Sequence, residues 1–182
     1  MTMRSLVSKG SLLLACLALA GTANAHGPSR QKVVKTVAIN APAAKVWGII
    51  ADFCAISSWS PGIASCTAEG GNAVGGKRSL RIGKADGPEI IEELQAYDAA
   101  TMMYRYKVVK TDNTVLPVTT YSAFLTVTDA GDGTSKVEWK SGFYRAYTKN
   151  NPPPELSDEA AMKAVSGAYD AGLANLKKIA EQ

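Results

Sequence analysis

The sequence predicts an α+β domain in which a curved antiparallel sheet of about seven strands wraps a long C-terminal helix around an internal cavity. Three observations carry this. A strand-like and a helix-like segment are followed by six closely spaced strand-like segments. Turn signals separate most of those six: Gly70-Gly71-Asn72, Gly75-Gly76, Asp86-Gly87-Pro88 and Ala130-Gly131-Asp132-Gly133. Connections this short favour an antiparallel meander over βαβ crossovers. An amphipathic segment with helical spacing then closes the chain.

The first 25 residues read as a secretory signal peptide. Arg4 and Lys9 form its basic start, Ser11 to Ala20 an apolar run too short to span a bilayer, and Ala23-Asn24-Ala25 a small-residue cleavage site. A lipoprotein signal ending at Cys16 is the weaker alternative, because the apolar run before it is very short. Residues 26–182 then form one domain in the periplasm, with no membrane anchor. Loss of Arg4 and Lys9 lowers the formal net charge from +4 to about +2, which gives no electrostatic case for nucleic acid.

Gln31 to Ile39 alternates and is rich in valine, as a half-buried strand should be. Pro42 suits the first turn of a helix, and Val46, Trp47, Ile49, Ile50 and Phe53 follow helical spacing behind it. A second short helix is expected between Cys54 and Trp59, ending at the Trp59-Ser60-Pro61 corner. Strands are expected over Ile63–Glu69, Lys77–Ile82, Ile90–Tyr97, Met102–Val109, Val118–Thr128 and Ser135–Tyr144. Asn150 to Pro154 is a stiff extended spacer. Ser157 offers an N-cap, and Asp158 and Glu159 favour the positive end of the helix dipole. Met162, Val165, Tyr169, Leu173, Leu176 and Ile179 mark one face of the final helix. Ala161, Ala164, Gly167, Ala168 and Gly172 lie beside it and permit either close approach to a sheet or room for a cavity.

Cys54 and Cys66 remain after the leader is removed, in a compartment where disulfides persist. A bridge between them and a pair of buried free thiols are both open readings. The sole histidine, His26, leaves no base for a Ser-His or Cys-His mechanism in the core. Two sulfurs without nearby His or acidic partners do not make a metal site, and no cofactor fingerprint is present.

This order of elements matches the helix-grip fold. Val46-Trp47, Asp52-Phe53, Trp59-Ser60-Pro61, Gly76-x-Arg78, Glu92-x-Leu94, Leu116-Pro117-Val118, Tyr121 and Trp139 resemble the polyketide cyclase/dehydrase-like branch of the START/Bet v 1 (SRPBCC) superfamily. Within it, His26-Gly27-Pro28, Gln31-Lys32-Val33, Phe143-Tyr144-Arg145, Pro152-Pro153, Asp158-Glu159-Ala160-Ala161 and the run from Tyr169 to Lys178 resemble MxaD-type periplasmic proteins of methanol oxidation. The serine of Trp59-Ser60-Pro61 departs from the histidine expected in many relatives.

The resemblance implies a periplasmic protein that binds a small hydrophobic molecule, or that assists methanol dehydrogenase and its cytochrome c acceptor. The alternative it implies is a cyclase, dehydratase or isomerase. In lachrymatory-factor-synthase-like relatives an arginine and a glutamate carry proton transfer; by that likeness Arg78 would hold a ligand oxygen, Glu92 would move a proton and Tyr121 would be the third polar group. An Arg–Glu pair on neighbouring strands is as readily a structural cross-strand pair, and the balance favours a non-enzymatic role. Alternation places Arg78 and Arg81 on opposite faces, so at most one points inward. Trp59, Pro61, Tyr104, Trp139 and Tyr169 complete the candidate ligand contacts, with Trp59 to Pro61 at the rim. The segment from Phe143 to Tyr147 is either a docking surface for a protein partner or a packed strand end.

Overall fold

The computed structural model describes residues 27–182; the leader, Cys16 and His26 lie outside the described residues. Strand β1 (Gln31–Ile39) leads into helix α1 (Ala43–Ile50) and the one-turn helix α2 (Ile56–Trp59). Strands β2 (Ile63–Glu69), β3 (Lys77–Ile82), β4 (Glu89–Asp98), β5 (Met103–Lys110), β6 (Val118–Asp129) and β7 (Ser135–Arg145) follow. A 3-10 turn at Pro154–Leu156 precedes helix α3 (Asp158–Ala180). Every expected element is present, and most ends shift by a residue or so; α1 stops at Ile50, so Phe53 lies beyond it in the turn before α2, and Pro154 opens the 3-10 turn instead of ending the extended spacer.

The seven strands form one sheet in the order β1-β7-β6-β5-β4-β3-β2, and every pairing is antiparallel. Side chains on its inner face alternate with exposed ones, as in β7, where every second residue from Ser135 to Arg145 is buried. α3 lies across this face, and Lys177 Nζ donates to the Ala38 carbonyl at 2.6 Å. Its start is fixed as the residues dictate: the Ser157 hydroxyl accepts from the Ala160 amide at 3.1 Å, and Arg145 binds Asp158 at 2.7 Å.

Bulges bend the sheet into a cup. In β5, Val109 is the extra residue between the pairs Ile91–Lys110 and Glu92–Val108. In β6, the register slips between Thr119 and Ser122, and Thr120 takes a left-handed φ of 51°. Val118 and Tyr121 are both buried although three residues apart, so this slip turns Tyr121 inward, in phase with Ala123 and Leu125. A β-branched residue rarely adopts that φ, which marks the bulge as imposed by its surroundings.

Cys54 and Cys66 are joined in a disulfide with their Cα atoms 5.7 Å apart. It ties the turn between α1 and α2 to the middle of β2, and so holds the helical corner against the sheet. The small residues of α3 divide between the two expected uses. A Cβ on Gly172 would lie 3.0 Å from Trp139 and 3.2 Å from Trp59, so glycine is what lets α3 meet these rings. Ala164, Gly167 and Ala168 instead border open space.

Candidate functional site

Between the inner face of the sheet and α3 lies a chamber of about 270 Å³. Its walls are apolar where Leu80 and Ile82 on β3, Ile90 on β4 and Val165 on α3 face inward. Its polar groups are few: Ser60, Glu92, Tyr106, Tyr121 and Tyr169, beside the Trp139 ring. A chamber of this make-up suits a mostly apolar molecule with one or two polar atoms. The mouth lies along α3, where the lining residues Gly167, Ala168 and Ala171 are exposed to solvent. A larger hollow of about 690 Å³ is an open polar surface on which Arg81, Glu89 and Lys110 are paired with one another.

Arg78 and Glu92 face each other directly across β3 and β4, and Arg78 Nε donates to Glu92 Oε2 at 2.6 Å. Both are buried. The guanidinium also donates through Nη1 to the Phe53 carbonyl and lies 4.0 Å above the Phe53 ring and 5.0 Å from that of Tyr106. Burial works against its charge, but the adjacent Glu92 carboxylate outweighs that, with help from Tyr104 and Tyr106, and its pKa is raised. Burial likewise raises the pKa of Glu92, against the opposing pull of Arg78. Among the described residues no side chain or amide donates to the second oxygen of Glu92, Oε1. Glu92 lines the chamber, and Arg78 stands behind it.

A second polar chain runs through the aromatic wall. Tyr121 and Tyr169 share a hydrogen bond at 2.5 Å, and Trp139 Nε1 donates to Tyr106 Oη at 2.9 Å. Trp139 and Tyr169 stack with centroids 4.1 Å apart at 12°. Burial pushes the phenols of Tyr106, Tyr121 and Tyr169 well up and that of Tyr104 to about 12, so all four stay neutral hydroxyls at ordinary pH.

Of the sequence candidates, Glu92, Tyr121, Trp139 and Tyr169 line this one chamber, and four others lie elsewhere. Arg78 is held behind Glu92 by its three protein contacts. Tyr104 is 1 % exposed, packed deep against Trp47 and Phe53. Trp59 is fully buried, with its ring 5.3 Å from that of Trp139, and Pro61 is exposed outside the lining; from that corner Ser60 and Gly62 line the chamber instead. Tyr106, Val115, Leu116 and Ala164 also line it; of these Val115 and Leu116 were not singled out as contacts from sequence. Phe143 and Arg145 are buried, which makes that segment largely a packed strand end, while Tyr144 and Tyr147 keep partial exposure. Among the described residues no cluster of three or more His, Cys, Asp or Glu side chains could hold a metal ion. None of their helices is long and apolar enough to cross a membrane.

Several known proteins share this architecture. A crystal structure from Bacillus thuringiensis has 28% identity and a TM-score of 0.70, with 84% of this chain and 100% of that one covered. The ZhuI aromatase/cyclase of Streptomyces sp. R1128 has 17% identity and a TM-score of 0.66 over 84% of this chain and 94% of its own. Norcoclaurine synthase of Thalictrum flavum, solved with dopamine and hydroxybenzaldehyde, has 15% identity and a TM-score of 0.64 over 97% and 96%. The two enzymes establish the Bet v 1-like helix-grip fold alone. No curated protein matches the sequence. The family model described as polyketide cyclase/dehydrase and lipid transport matches residues 30–181, and the chain belongs to that family, within the SRPBCC superfamily.

Proposed function

We propose that the protein is an exported binder of a small, mostly apolar molecule, held in the chamber between the sheet and α3. The observation that carries this is the chamber itself: apolar walls, one acid with an open oxygen, and a mouth bordered by alanine and glycine. An engineered apolar cavity of about 150 Å³ admits benzene, so a chamber of 270 Å³ suits a molecule of one or two rings. The Cys54–Cys66 disulfide supports a periplasmic setting, to which the leader read at residues 1–25 would deliver the chain. On the MxaD-type resemblance we further propose that the protein assists methanol dehydrogenase and its cytochrome c acceptor as an accessory factor, with Tyr144 and Tyr147 as the partly exposed residues to test for contact.

A second reading is favoured by Glu92. Its raised pKa and free Oε1 suit a proton-moving group in a cyclase-, dehydratase- or isomerase-type reaction, with Arg78 setting the carboxyl orientation and Tyr121 as a hydroxyl partner. Native mass spectrometry of protein purified from its own periplasm tests the binding reading. A bound compound of low mass, lost when Ala168→Trp plugs the mouth, is the expected result. Protein that carries no compound and binds no single-ring phenol in calorimetry would overturn it. Conversion of the recovered compound by wild-type protein but not by Glu92→Gln would move the assignment to an enzyme.

A further inference from the structure

Next to the chamber lies a second, mostly apolar hollow that none of the preceding description uses. This groove, open to solvent and about 760 Å³, lies between the β5–β6 loop and the start of α3. Val115, Pro117, Leu156, Ala160 and Ala164 supply its apolar surface. Val115 and Ala164 line both the groove and the chamber, so the two meet at this pair of residues. On α3, Ala160 and Ala164 are one turn apart and lie on the same side, with only a methyl group each to fill the path. Asn113, Thr114, Glu155 and Lys163 also line the groove, all of them exposed to solvent, whereas the buried acid and phenols line the chamber.

We infer that the ligand is elongated, with a ring-sized head in the chamber beside Glu92 and an alkyl or acyl tail that passes between Val115 and Ala164 into the groove. The inference rests on the binding reading above and adds the shape of the ligand and a second subsite. The argument is one of continuity and contrast. A head bearing a hydroxyl or carbonyl finds buried polar partners in the chamber, at Glu92 and the tyrosines. An aliphatic tail longer than the chamber holds finds the apolar side chains of Pro117, Leu156 and Ala160 beyond Ala164. Occupancy of the groove by a tail also buries Leu156 and Val115, which are only partly covered by protein.

A series of 4-alkylphenols from ethyl to octyl, titrated by calorimetry, tests this. Each methylene buried in the groove should tighten binding by about three- to four-fold. The gain should persist past the chain length at which the chamber is filled. In Ala160→Phe, which fills the groove, and in Leu156→Asp, which makes its wall charged, the gain should stop at short chains while 4-ethylphenol binds as in wild type. Thermal melts of both variants establish that they are folded. Affinity that levels off after the shortest chains in wild type, or that climbs equally in both folded variants, overturns the second subsite and leaves the chamber reading standing. Failure of every phenol to bind overturns both.

Discussion

Arg78 commits Nε to Glu92, Nη1 to the Phe53 carbonyl and its flat face to two rings, while its buried Nη2 has no partner among the described residues. Such a pair is costly to break and far less costly to replace whole. Arg78→Met should therefore lower stability by about 3–5 kcal/mol in urea titrations, by leaving Glu92 buried without its cation. Arg78→Met with Glu92→Leu should regain most of that loss; a double variant as unstable as the single one would contradict this account. Gly172 is the other residue with little freedom, since an added methyl meets Trp139 and Trp59 backed by the sheet. Gly172→Ala should cost about 1–3 kcal/mol by the same measurement, because Trp139, stacked on Tyr169, and the fully buried Trp59 must shift to admit the methyl. The pairing of Arg78 with Glu92 was legible in the alternation of their two strands. Which of them meets the chamber was not, since that depends on the carbonyl of Phe53, 25 positions from Arg78 in sequence but adjacent in space.

At the scale of elements, strand and helix limits followed the pattern of apolar residues closely, and the bulges did not. Thr120 and Val109 look like ordinary strand residues, and the extra residue exists only relative to a partner strand. Tyr104 and Tyr106 show the limit of alternation: both point inward from β5, yet curvature leaves only Tyr106 at the chamber. Thr120→Gly relieves the left-handed backbone and should leave Tyr121 inward, with stability changed by no more than about 1 kcal/mol. The disulfide joins the α1–α2 corner to β2 across a loop of 12 residues. Its reduction should cost about 3 kcal/mol and lower the melting temperature, read by calorimetry with and without dithiothreitol.

Over the whole molecule, two groups of acids give opposite pH dependence. Hydrogen bonds and ion pairs with neighbours such as Lys110, Lys107 and Thr101 hold Glu89, Glu93 and Asp98 below their ordinary values. Their contribution is present above the unfolded values, 4.5 for Glu and 3.8 for Asp, and is lost as pH falls through the depressed folded ones. Glu92 has the reverse sign: with its folded pKa raised, the fold favours its protonated form, and stability declines as pH rises from 4.5 through that higher value. Urea midpoints should thus peak slightly above pH 4.5 and fall on both sides. In Glu92→Gln the decline on the alkaline side should be reduced while the acid side is unchanged. The pairing of β1 with β7 has a further, temporal consequence. Gln31 pairs with Phe143 and Ile39 with Ser135, so β1 finds its strand partner among the described residues only about a hundred residues later. Such distant pairing slows folding. A valine-rich segment thus stays without its β-sheet partner until synthesis is nearly complete, which is also the state in which a chain can still be threaded through a narrow pore.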